Sequence, residues 1–245
     1  MPVSLESLAL AAAVVACAYF IFGLSGFGAA LVSVPVISHL WPVQFVLPVL
    51  ALLDLSAGLF LGVRHNRQTE RSELTRMIPL AVLGALLGAT LLVKLPRGAA
   101  LAGVGGFALL YGIYALLERG APRKVSRNWA YVAGLVGGTT GAAFGIGGPP
   151  YAIYLSRRIE DKDVLRATIA TMVIFSVGSR LLMFALAGLV MWNELRVALA
   201  LLPFAFAGLW AGSRAHVSIS RERLGRVISA ILIATGISLL VRAAS

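Results

Sequence analysis

Cysteine is nearly absent: Cys17 stands alone in 245 residues. That excludes an internal disulfide framework and a thiolate metal site. Acidic residues are also scarce, ten Asp and Glu against 21 Lys and Arg. Charges of both signs together make up only 13% of the chain, whereas a soluble domain carries about 25%. The three histidines, His39, His65 and His216, fall at or beyond the ends of apolar stretches, and nothing pairs them at metal-ligand spacing. No cofactor motif is present, and no long polar linker separates domains. Residues Met1 to Glu6 lack the basic n-region of a cleaved signal peptide, so the chain is expected to begin in its mature form.

What is there is apolar. Hydrophobic residues make up 59% of the sequence and the mean hydropathy is +0.91, against roughly 45–50% apolar residues in a soluble domain. The composition predicts an all-α polytopic membrane protein. The net charge of +11 does not point to nucleic acid. The basic residues sit in short loops between apolar spans and form no continuous basic face. Spans of about 20 apolar residues are expected over 5–38 (interrupted at 25–28), 42–63, 77–93 and 98–117. In the second half they are expected over 129–156 (interrupted at 145–150), 164–187, 193–213 and 224–241. Prolines 42, 96, 149 and 203 are expected mostly at span starts or turns, where the missing N–H costs little.

The two interruptions are glycine-rich: Gly23-Leu24-Ser25-Gly26-Phe27-Gly28, and Gly141 through Gly145-Ile146-Gly147-Gly148 to Pro149-Pro150. They stand 119 residues apart, about half the chain. Glycine-broken apolar segments at corresponding places of two halves are a sequence pointer to a transporter's binding site. Each break frees backbone N–H groups at the start of a half-helix, where the dipole favours an anion. The expected partners are therefore a small anion and the lipid bilayer.

Basic residues orient the chain. Sixteen of the 21 fall in loops 64–76, 118–128, 157–166 and 214–226, and only Lys94, Arg97, Arg196 and Arg242 mark the other ends. Arg180 lies inside a span. With all four rich loops cytoplasmic, segment 129–156 must enter the membrane and return, as a helical hairpin bent at its glycines or as two short spans. The loop following the first broken segment is uncharged, while the one following the second is rich, so the halves are in antiphase. That pattern predicts two inverted repeats, 1–120 and 121–245, each a glycine-broken helical hairpin followed by three transmembrane helices, with both termini outside. The competing arrangement is eight simple spans with the N-terminus inside.

At these residues the chain resembles the sulfite exporter TauE/SafE family of permeases. The resemblance covers both halves and rests on GLSGFGAALVSVP (Gly23 to Pro35) and GAAFGIGGPPYAIYL (Gly141 to Leu155). The second motif is the closer match. The first departs from the family's more glycine-dense form at Ser25, Phe27 and Ala29. Membership implies a multi-pass protein of the cell (inner) membrane that transports sulfur-containing oxyanions or organosulfonates, commonly outward, and it implies no enzyme activity.

Candidate substrate contacts are Ser25, Gly26, Phe27, Gly28, Gly145, Ile146, Gly147, Gly148 and Tyr151, with close helix packing by the glycines as the alternative reading. An arginine within a span is costly by about 2.5 kcal/mol or more on insertion scales. Arg180 therefore reads either as a fork for a sulfonate or as a structural partner of a backbone carbonyl or of Asp54. Asp54, read as the only acid deep in a span, is a candidate for proton coupling or for that ion pair. Ser56, Thr168, Thr171, Ser176 and Ser179 could line a path or bond between helices. Tyr154 follows the second break, and Trp41, Trp129 and Trp192 mark span ends as interfacial belt residues.

Two other functions fit parts of the pattern. An anion channel could share the architecture. Gly23-Leu24-Ser25-Gly26 also matches the nucleophile motif of rhomboid-like intramembrane proteases, with His216 as the base. Such an enzyme needs its histidine at membrane depth, and His216 falls in a loop between Arg214 and Arg221.

Overall fold

The structure is a computed structural model and describes residues 4–25, 28–62, 69–117, 124–215 and 221–244. Ten α-helices follow one another: α1 (Leu5–Ser25), α2 (Ala29–Ile37), α3 (Val43–Gly62), α4 (Arg71–Lys94), α5 (Arg97–Leu117), α6 (Trp129–Phe144), α7 (Gly148–Ser156), α8 (Lys162–Leu186), α9 (Trp192–Arg214) and α10 (Arg221–Ala244). No strand occurs among the described residues. Seven of the helices (α1, α3, α4, α5, α8, α9 and α10) are long and apolar enough to cross a membrane. At about 1.5 Å per residue, α2 and α7, of nine residues each, reach less than half way across a hydrocarbon core of about 30 Å.

Both broken segments are hairpins. The Trp41 indole, just beyond α2, donates to Ser7 Oγ in the first turn of α1 at 3.3 Å. The short helix therefore runs back toward the end from which α1 came. In the second half, Arg158 donates to Val125 O at 3.2 Å, and Tyr154 OH to Arg127 O at 3.4 Å. The end of α7 thus lies beside the residues that lead into α6. These contacts rule out single continuous spans at either break.

The hairpins fix the two ends of the bundle. Residues 4–7, 38–42, 94–98 and 187–191 gather at one end, where Arg242 also donates to His39 O at 2.6 Å. The arginine-rich stretches around 70, 125 and 158 gather at the other.

Glycine sets how closely the helices approach. A Cβ on Gly84 or Gly138 would collide with the carbonyl of Leu135 or Ala81 across the α4–α6 contact. One on Gly208 or Gly212 would strike the carbonyl of Ala16 or Phe20 across α1–α9. Small residues four apart let membrane helices touch backbone to backbone, where dispersion and not water exclusion holds them. Beyond these two pairs, α5 packs on α10, α3 on α8 and α9, and α4 on α8.

Three expectations need correction. Helix α4 begins at Arg71 and not at 77, so Glu73 lies in its first turn and is buried. Glu73 is thus a buried acid at a helix start, while Asp54 is, among the described residues, the one acid deep in a span. Pro42, Pro96 and Pro149 lie at turns or a helix start as expected, but Pro203 sits within α9, as Pro35, Pro48 and Pro79 do within α2, α3 and α4. These helices tolerate proline because neighbouring helices can re-satisfy the freed carbonyl. Trp41 is buried in the core, unlike Trp129 and Trp192, which are exposed.

Candidate functional site

Helix α6 stops at Gly145, which adopts the left-handed conformation (φ 77°) and donates its N–H to Gly141 O at 3.0 Å. This is the αL cap that glycine adopts without strain. A side chain here would also strike Leu47 at 2.6 Å and Val34 at 2.7 Å. Gly28, the N-cap of α2, is left-handed as well, with φ 103°. Both breaks are therefore written into the backbone by glycine.

The two breaks converge on one cavity of about 60 Å³. At ~10–15 Å³ per water it holds roughly four to six waters, the scale of one small oxyanion. Gly28 and the first residues of α2 line it, as do Gly141, Gly145 to Pro149, Tyr151, Phe22, Asp54, Ser176 and Arg180. Helix starts leave N–H groups without intrahelical partners. In α7, Pro149 and Pro150 have none to give, which leaves Gly147 and Gly148. In α2, Leu31 N–H turns back to Gly28 O at 3.1 Å, which leaves Gly28, Ala29 and Ala30.

Arg180 organises the polar side. Its Nη1 donates to Gly141 O at 3.0 Å and Gly145 O at 3.3 Å, the terminal carbonyls of α6. A cation at a helix C-terminus satisfies orphan acceptors and the negative end of the dipole. Its Nη2 donates to Asp54 Oδ2 at 3.1 Å, and Tyr19 OH donates to Asp54 Oδ1 at 2.7 Å. The ion pair is largely shielded from solvent, with side-chain exposures of 5% and 11%. Arg180 Nε–H is buried and has no partner among the described residues. A buried donor left unpaired costs about 1–3 kcal/mol.

The expected site residues divide accordingly. Gly28, Gly145, Ile146, Gly147, Gly148, Tyr151, Asp54 and Arg180 share the cavity. The Tyr151 hydroxyl lies 2.9 Å from Ser176 Oγ, another residue of the lining. Gly26, Phe27 and the Ser25 side chain lie outside the described residues, as does His216 of the protease reading. Ser56, Thr171 and Ser179 bond back to carbonyls of their own helices. Thr168 does so too and also accepts from Glu70 N–H at 3.0 Å.

Sequence reading missed two groups. Tyr19 holds Asp54 from α1. At the arginine-rich end, Glu73 accepts from Tyr154 OH at 2.5 Å and Arg158 Nε at 3.2 Å, joining the start of α4 to the end of α7. No group of His, Cys, Asp and Glu suited to a metal ion occurs among the described residues.

No solved structure matches the chain. It is 27% identical over 191 residues, 77% of its own length and 80% of the relative's, to "Probable inner membrane transporter protein TsaS" of Comamonas testosteroni. The family described as "Sulfite exporter TauE/SafE" matches residues 10–239. With its membrane-spanning helices and its breaks in place, the chain belongs to the TauE/SafE sulfite exporter family of membrane transporters.

Proposed function

We propose that this protein is a secondary carrier of the inner membrane that moves small sulfur-containing anions, such as sulfite or short organosulfonates, outward by alternating access. The observation that carries this reading is the unpaired, buried Nε–H of Arg180 on a cavity where two half-helices begin. A guanidinium edge and converging helix N-termini suit an oxyanion with several acceptor oxygens. The anion would sit between Gly28 to Ala30 on one side and Gly147, Gly148 and Arg180 on the other.

Alternating access draws support from the packing. Exchanging α1–α5 for α6–α10 turns the α1–α9 contact into α6–α4, α3–α9 into α8–α4, and α2–α3 into α7–α8, all of which occur. Such exchange is expected of inverted repeats, residues 1–120 and 121–245, that rock about a shared midplane site. The inner-membrane placement rests on the TsaS relative's name and the outward direction on the family's.

Thermal unfolding of the detergent-purified protein against sulfite, thiosulfate, sulfate, sulfoacetate, taurine and chloride tests the site. A ligand at about 100 times its Kd stabilises the folded state by about 2.7 kcal/mol, or roughly 5 °C or more for a chain of this size. A shift with a sulfur anion, absent with chloride and lost in Arg180→Ala, is the expected result. Equal shifts with every anion, or none, would remove the sulfur-anion assignment.

A further inference from the structure

The cavity presents an anion with a difficulty, because the cation that would hold it already holds a carboxylate. Arg180 Nη2 lies 3.1 Å from Asp54 Oδ2, and both side chains line the same small space. An anionic substrate on the guanidinium would stand beside the Asp54 carboxylate. Two negative charges held that close in a partly dry site repel several-fold more strongly than they would in water. Protonation of Asp54 removes that repulsion and weakens its hold on Arg180.

We infer that Asp54 and the transported anion compete for Arg180, so that a proton must bind Asp54 when the anion binds, and the two cross the membrane together. The inference rests on the anion site proposed above. In the unloaded protein the charges of Asp54 and Arg180 cancel. In the loaded one Asp54 is neutral, and Arg180 faces the anion with Nη2 and the otherwise unpartnered Nε. The proton comes from the solution on the side to which the cavity is open and leaves to the solution on the other side. For a monovalent anion the mobile site is neutral both empty and loaded, so the membrane potential drives neither passage, and outward transport runs down the anion's own gradient.

The surroundings of Asp54 fit this exchange. The titratable and charged groups that face it are Tyr19 from α1 and Arg180 from α8. Across the cavity Tyr151 of α7 pairs with Ser176. Helix α2 carries no ionisable side chain, and among the described residues α5, α6 and α9 bring no charge to Asp54. The Tyr19 hydroxyl can donate to the ionised carboxylate and accept from the protonated acid, so it holds Asp54 in either form. Arg180 keeps its bonds to Gly141 O and Gly145 O throughout, which anchors the guanidinium while one face changes partner.

Proteoliposomes loaded and bathed with radiolabelled methanesulfonate, a monovalent sulfonate that stays ionised, test the coupling. Counterflow of label against unlabelled anion first reports carrier activity. Its absence with methanesulfonate, sulfite and thiosulfate alike would overturn the carrier reading, and the inference with it. With counterflow present, an outside one pH unit more acid than the inside should hold roughly tenfold accumulation of the anion at equilibrium. A potential set by potassium and valinomycin should hold none. Accumulation that follows the potential and ignores pH would overturn proton coupling while leaving the anion carrier intact. In Asp54→Asn the equilibrium ratio under the pH gradient should fall from about ten to one, whatever the rate. A ratio that stays near ten in a folded Asp54→Asn protein would show that the proton travels elsewhere.

Discussion

A methyl group added at Gly147 would meet the Gly137 carbonyl at 2.6 Å, whereas at Gly148 it would meet nothing within 4 Å. Gly147 closes the α6–α7 hairpin, and Gly148 opens onto the cavity. Gly147→Ala should therefore lower the melting temperature of the detergent-purified protein by several degrees, since a Cβ against backbone costs about 1–3 kcal/mol. Gly148→Ala should leave that temperature within about 2 °C, in line with an effect under ~0.5 kcal/mol, yet weaken the best sulfur anion at least tenfold by intruding on its space. Undiminished affinity in Gly148→Ala would move the anion away from the start of α7. At this scale the sequence was partly readable. Arg180 and Asp54 stood out because a charge inside an apolar run has few reasons to be there. Tyr19 did not, since a tyrosine within such a run carries no mark of its own and its partner lies 35 residues away. Glu73 was hidden among the charges around Arg71 and Arg76. Tyr154 of the folded-back α7, Arg158 just beyond it and Arg127 before α6 cover it.

The helices depend on small residues where sequence reading saw only hydropathy. Outside α4, which starts at Arg71 and not at 77, span positions followed closely from apolar runs. The second hairpin followed from loop charge, because a segment joining two cytoplasmic loops has to turn back, and the first from the symmetry of the halves. Which helix meets which was not legible, since α1 touches α9 across most of the chain and α4 touches α6 across the boundary between the halves. Those contacts are recorded in Gly84, Gly138, Gly208 and Gly212, residues that a hydropathy scan scores as nearly neutral. Gly138→Ala should drive α4 and α6 apart, because its Cβ meets the Ala81 carbonyl, whereas Gly106→Ala on α5 meets nothing within 4 Å. Comparing the two by size-exclusion profile and melting temperature removes the effect of helix propensity, which favours alanine in both. A stable, monodisperse Gly138→Ala protein would mean that α4 and α6 do not meet backbone to backbone.

For the whole molecule, packing fixes the two ends relative to each other, and charge alone fixes which end faces the cytoplasm. Ala187 is exposed at the end that Trp41 shares with Ser7, since its neighbour Gly188 and Pro42 line one recess there. Ser126 is exposed at the opposite end, beside the Val125 carbonyl that Arg158 reaches. The positive-inside rule puts the arginine-rich end in the cytoplasm. With Cys17→Ser as background, a membrane-impermeant maleimide should label Ala187→Cys in intact cells and Ser126→Cys only after the membrane is opened. Eight simple spans with an internal N-terminus would instead hide both positions from outside. Labelling of Ser126→Cys alone in intact cells would invert the chain. On the proposed arrangement of two opposed repeats, inversion would spare the cavity chemistry. It would place the end of the short helix α7, tied to α4 through Glu73, on the outer side and not on the cytoplasmic one.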